Sequence, residues 1–133
     1  MAAYTMPTAH ARANTAAMEP WPLSPGSILE GSPEASGAAL LRSEDGRKSR
    51  GFWRCTPGRF TWAFEYDETI VVVEGRATVE FDTGEIIELA PGVMAFFERG
   101  HASIWTVHET IVKGYHADSS PGEAGEARPE GST

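Results

Sequence analysis

Between Phe60 and Gly75 the chain reads Phe-Thr-Trp-Ala-Phe-Glu-Tyr-Asp-Glu-Thr-Ile-Val-Val-Val-Glu-Gly, and this alternation constrains the fold more than any other stretch. Its even positions are Phe60, Trp62, Phe64, Tyr66, then Glu68, then Ile70 and Val72. The odd positions are mostly small or polar: Thr61, Ala63, Glu65, Asp67 and Thr69. A period of two rich in aromatic and β-branched residues belongs to a strand and not to a helix. One face of an extended segment therefore carries four aromatics and two aliphatics, interrupted by a single carboxylate, Glu68. A carboxylate among rings is costly unless it is paired, protonated or bound to something. The stretch predicts a pocket with Glu68 in its wall and leaves the occupant open.

The 133 residues suit one domain plus tails, with enough chain to bury a core. Eleven Lys and Arg against nineteen Asp and Glu leave a formal charge of -8. No basic run interleaves with aromatics, and Arg47-Lys48-Ser49-Arg50 reads as a solvated turn before it reads as an anion site. Nucleic acid is not an expected partner, because phosphate contacts dominate such binding. Cys55 is the only cysteine, so neither a disulfide framework nor a cysteine-rich zinc site is available. Beside Trp53 it reads as a small buried hydrophobe, with a redox role left open. Apolar runs such as Ile70 to Val73 are strand-sized, and no membrane span is expected. The N-terminus lacks a basic head and a continuous apolar stretch, which makes the cytoplasm the default expectation.

Residues 1–27 are rich in Ala, Thr, Pro and Ser and predict a flexible or draped arm, with Trp21 and Leu23 as apolar anchors for the domain or a second subunit. Residues 118–133 predict a disordered acidic tail, leaving 28–117 as the domain. Within it, turn signals recur at an all-β rhythm. Ser43-Glu44-Asp45-Gly46, Pro57-Gly58, Asp82-Thr83-Gly84, Pro91-Gly92 and Arg99-Gly100 punctuate short strands. After Gly75, Arg76 to Asp82 alternates Ala77, Val79 and Phe81 with polar residues, as a half-buried strand does. Glu85 to Leu89, Ala102 to Val107 and Ile111 to His116 follow as further strands. Val93 to Phe97 is apolar throughout and is expected to be buried on both faces. Seven to nine short strands without helices imply a sandwich or barrel.

Glu68, six residues, then Gly75 matches the end of a first cupin motif; Gly92, seven residues, then Gly100 matches the start of a second. With Gly51-Phe52-Trp53, Thr56-Pro57-Gly58-Arg59-Phe60-Thr61-Trp62, Trp105-Thr106-Val107-His108-Glu109-Thr110 and Lys113-Gly114-Tyr115, the chain from Ile28 to His116 resembles the small single-domain cupins. These are grouped, in the RmlC-like superfamily, with the cupin domains of ureidoglycine aminohydrolase and the ethanolamine-utilisation cupins. The resemblance implies an all-β double-stranded β-helix jelly roll, usually a homodimer. Carried over position by position, the His-x-His pair of metal cupins falls on Trp62 and Phe64, and the last histidine falls on Ser103. Only Glu68 remains, and Glu98 stands at the second motif's proline. Aromatic rings offer a divalent ion no lone pair, so neither a metal nor another cofactor is expected.

Glu68 has two readings: a structural acid satisfied internally, or a general acid or base or ligand anchor with Lys113 and Tyr66 as complementary groups. Lys113 serves the second only if its ammonium reaches inward instead of to solvent. Trp62, Phe64, Ser103 and Trp105 share the inward parity as candidate ligand contacts, the alternative being core packing. His101 either lies on a turn or swings toward Glu68 or Glu98 to rebuild a thin metal site. The leading expectation is a barrel that binds a small polar metabolite, of which nitrogenous ones are an option, and transfers protons through Glu68. The alternatives are a non-catalytic metabolite-binding or regulatory module and a structural dimeric barrel.

Overall fold

A computed structural model describes residues 9–14 and 16–121. Most of the sequence-expected tail lies outside the described residues. Among the described residues nine strands follow in chain order: β1 (Glu19–Pro20), β2 (Ile28–Gly31), β3 (Ala35–Arg42), β4 (Lys48–Cys55), β5 (Gly58–Ala63), β6 (Asp67–Phe81), β7 (Ile86–Leu89), β8 (Met94–Phe97) and β9 (Ala102–Asp118). One 3-10 turn, Pro25–Ser27, is the only helical segment among the described residues, and no helix is long and apolar enough to cross a membrane.

Two long antiparallel strands, β6 and β9, form the spine of a double-stranded β-helix jelly roll, pairing from Asp67↔Asp118 to Phe81↔Ser103. One half of the spine carries β8 beside β6 and then β4, β3 and β1 beside β9. The other half carries β7 beside β6 and then β5 and β2 beside β9. The halves meet where the register slips between Val72 and Ala77. There the inward face of β6 switches from Glu68, Ile70 and Val72 to Ala77, Val79 and Phe81, as an inserted residue must make it do. Gly75 sits at the slip with φ +84, and a Cβ there would come within 2.0 Å of the Thr110 carbonyl oxygen. Only glycine fits that approach.

Three expectations change. The Phe60–Gly75 alternation is two strands, because Phe64 to Tyr66 turns the chain between β5 and β6. The Phe64 N–H donates to the His101 carbonyl and its own carbonyl accepts from Gly100, so the turn is stitched to the start of β9. Second, β6 and β9 are 15 and 17 residues long, since strands that span both halves need no turn at the slip. Third, β8 is buried on one face only: Phe97 is 1% exposed, but Met94 is 70% and Phe96 60%. β8 pairs with β6 alone, and its outer side chains stand beside Thr69 and Val71 on the outside of the sheet.

The core is aromatic and lies between the halves. Trp105, Phe60, Phe97, Ile70, Leu89, Ile111 and Val79 are its largest fully buried side chains. Each contributes about 1.5–3 kcal/mol by leaving water. The segment before β2 lies against the domain: Glu19–Pro20 pairs with Ser36 and Gly37, the Trp21 N–H donates to the Ala35 carbonyl, and Leu23 is buried in the core.

Candidate functional site

The register builds a cleft of about 480 Å³ between the two halves of the roll. Trp53 on β4, Lys113 on β9 and Val72 on β6 oppose one another across one inward row. Glu68 lies two inward positions back along β6, so the lysine stem must run along the barrel to reach it. It does: Lys113 Nζ donates to Glu68 Oε2 at 2.9 Å, and both residues are only 5% exposed. The ammonium also lies 4.6 Å from the centre of the Trp53 ring and 5.0 Å from that of Trp105. Two indole faces and a carboxylate thus replace the water the cation gives up.

Phe60 stacks on Trp105 at 6.2 Å and 11°. Tyr115, whose hydroxyl is 2.9 Å from Ser49 Oγ, meets the edge of Trp21 at 6.1 Å. Trp21 is the outer wall. Its ring occupies the space over Gly37, where a Cβ would lie 2.1 Å from a ring carbon. Pro20, Pro22 and Leu23 complete that wall, and Arg42 stands at the rim. Burial, followed by the nearby Glu68 charge, pushes the Tyr66 phenol well above its ordinary value, while a side-chain hydrogen bond with Trp62 acts the other way. Tyr66 is therefore a protonated hydrogen-bonding group at neutral pH, not a phenolate base.

Of the residues singled out from sequence, Glu68, Lys113, Tyr66, Trp62 and Trp105 come together in this cleft. Phe64, Ser103 and His101 do not line it. Phe64 packs with Phe97 at 4.8 Å and Phe81 at 6.2 Å, behind Trp105, whose ring meets Phe97 edge-on at 6.0 Å. The Ser103 hydroxyl is turned to the backbone, donating to the Trp62 carbonyl at 2.8 Å. His101 lies on a second, more polar concavity, with Nδ1 3.2 Å from Asp82 and Nε2 3.5 Å from Glu98. Glu68 and His101 thus face different spaces and do not share a site. Trp62, Phe64 and Ser103 in the places of imidazoles do not fit a divalent ion, and Glu68 is committed to Lys113. Among the described residues no group of three or more His, Cys, Asp or Glu could hold a metal.

Sequence reasoning left out Trp21, Trp53 and Tyr115 as site residues. Two had a signal: Trp53 shares its parity on β4 with buried Cys55, and Tyr115 shares its parity on β9 with Lys113. Trp21 stood out only as an apolar anchor of the arm, because so short a docked segment carries no period to say which surface it covers.

The model of the EutQ-like cupin domain matches residues 42–115, more than half of the chain and all of the spine but the last three residues of β9. The chain belongs to this family. Among solved structures, an ethanolamine utilization protein Q of Salmonella typhimurium is 24% identical to the cupin, with a TM-score of 0.58 over 66% of this chain and 72% of that one. A protein of unknown function of the DUF861 family from Pseudomonas syringae pv. tomato is 21% identical, with a TM-score of 0.71 over 78% of this chain and 45% of that one. The Clostridium difficile EutQ protein is 21% identical, with a TM-score of 0.59 over 67% and 65%. At these identities the likeness is one of fold. The cupin spans under half of the Pseudomonas protein and just under two thirds of the Clostridium one. No curated protein matches the chain.

Proposed function

We propose that this EutQ-like cupin binds a small polar metabolite in the cleft and holds its polar group against the Lys113–Glu68 pair. The observation that carries the reading is that pair: two opposite charges 2.9 Å apart, both buried, on the floor of an open cleft walled by indoles. A domain that needed only stability would do as well with apolar residues of similar volume, because a buried ion pair rarely repays its desolvation. Glu68 is the group able to move a proton on a bound substrate, with Lys113 and Tyr66 as the donors that steady the developing charge. Since Glu68 is already held by Lys113, the same geometry also serves a module that binds a metabolite without turning it over. A lone buried thiol, Cys55, suits the reducing cytoplasm as the place of action.

A thermal-shift panel of small nitrogenous and carboxylic metabolites tests the binding reading, because a ligand of the folded state raises the melting point. A hit that disappears when Glu68→Gln and Lys113→Met are combined supports it; a panel without hits sinks it. Turnover of that hit, abolished by Glu68→Gln alone, separates enzyme from sensor. We also propose that two copies pair through the apolar outer face of Val71, Val73, Met94 and Phe96. Light scattering should give a dimer for the native chain and a monomer for Met94→Glu/Phe96→Glu. A native monomer would refute it.

A further inference from the structure

The donors on the cleft floor indicate what kind of ligand it takes, an inference that rests on the binding reading above. Among the described residues, Trp105 Nε1 is the one buried side-chain polar atom without a hydrogen-bond partner, on a ring only 2% exposed. A buried N–H without an acceptor has given up water and gained nothing in return. The Lys113 ammonium beside that ring has three donors, and Glu68 is its one oxygen partner among the described residues. Lys113 itself lies over one face each of Trp53 and Trp105 and so takes the place a ligand cation would have there. What the floor has in excess is donors. The charge agrees: Arg42 and Lys113 against Glu68 leave the lining with one net positive charge, on a chain whose formal charge is -8.

We propose that the cleft takes a singly charged carboxylate on a flat, apolar body. One carboxylate oxygen accepts from Lys113 and, after a small swing of the flexible lysine stem, from the Trp105 N–H. The body lies against the rings of Phe60, Trp62 and Tyr66. Lys113 then bridges two carboxylates, that of Glu68 and that of the ligand, and Arg42 at the rim offsets the added charge.

The test uses the full chain with labelled tryptophan indoles and three probes of one shape: benzoate, benzamide and benzyltrimethylammonium. Benzoate should move the Trp105 indole N–H resonance downfield and raise the melting temperature, with the other two probes binding at least tenfold more weakly. Arg42→Gln, at an exposed site, should weaken benzoate by up to about fivefold and leave benzamide unmoved. The double variant Glu68→Gln/Lys113→Met, which leaves no buried charge unpaired, should keep the circular dichroism spectrum and lose benzoate by about tenfold or more. If benzamide or the ammonium probe binds and benzoate does not, the carboxylate assignment falls while the binding cleft stands. If no probe binds, the assignment is also overturned, and the broader metabolite panel decides the cleft separately. Benzoate binding that leaves the Trp105 resonance in place would remove that donor from the site.

Discussion

Replacing Lys113 by methionine removes the one hydrogen-bond donor that the structure gives the buried Glu68 carboxylate. Methionine fills most of the lysine stem, so packing against Trp53 and Trp105 is largely kept and the charge is the main thing lost. A carboxylate left alone among rings, on a residue 5% exposed, should cost the domain about 3–5 kcal/mol. That is about a fifth or more of the stability of an ordinary domain. It corresponds to a fall in melting temperature on the order of 10–20 °C. Glu68→Gln alone should cost a similar amount, since it leaves a buried ammonium with an amide that can only partly replace the carboxylate. The combination should recover most of the loss, giving a coupling of at least about 2 kcal/mol between the two sites. Urea unfolding followed by circular dichroism, with unchanged m values, measures all four corners of the cycle. If Lys113→Met costs under about 1 kcal/mol, or the two losses simply add, the pair is solvated and the reasoning about the cleft floor fails.

Gly37→Ala should lift Trp21 off the sheet, because the new Cβ would sit 2.1 Å from the indole. Tryptophan emission should shift to the red and the cleft should become easier to quench with acrylamide, while the β-sheet spectrum is kept; an unchanged emission would refute the docking of that wall. Asp82 is held below its ordinary 3.8, first by the Ala102 N–H and then by His101. Its folded value lies below its unfolded one, so its contribution is complete above about pH 4 and is lost as the pH falls further. Asp82→Asn should therefore flatten the acid limb of the stability curve by lowering its neutral plateau, with the slope near neutral pH unchanged. Burial pushes the Cys55 thiol up to about 12. At pH 8 its alkylation in the folded chain should be slower than that of a free thiol by a factor on the order of 10³ or more. Rapid labelling without denaturant would show that the thiol is open to solvent.

Much of the candidate site was legible because β-structure writes its faces into the sequence at a period of two. Glu68 stood out as a charge on a face of rings with Trp62 and Tyr66, Trp105 shared the inward parity with Ser103, and Lys113 was left between the interior and solvent. What that parity could not say is how deep along the barrel each residue lies. Phe64 has the same parity as Trp62 and Glu68, yet the turn from Phe64 to Tyr66 sends its ring to Phe97 and Phe81. Ser103 faces inward too, and its hydroxyl is close enough to the Trp62 carbonyl to be satisfied by backbone. The apolar run Val93 to Phe97 misled for a different reason. Hydrophobicity reports a preference to leave water, not whether a partner is available, and β8 at the edge has one only on its inner side.

By itself the amino-acid sequence determined the all-β class, most of the turn positions and the isolation of one acid among aromatics. These are local properties, set by side-chain chemistry and by backbone preferences that act over a few residues. Only the tertiary structure decided that Lys113 answers Glu68 from 45 positions away, that Trp53 and Trp105 flank the ammonium, and that Trp21 walls the cleft from before the first long strand. Such meetings depend on strand register and on the slip at Gly75. Register is fixed by the packing of the whole core and not by any stretch within it.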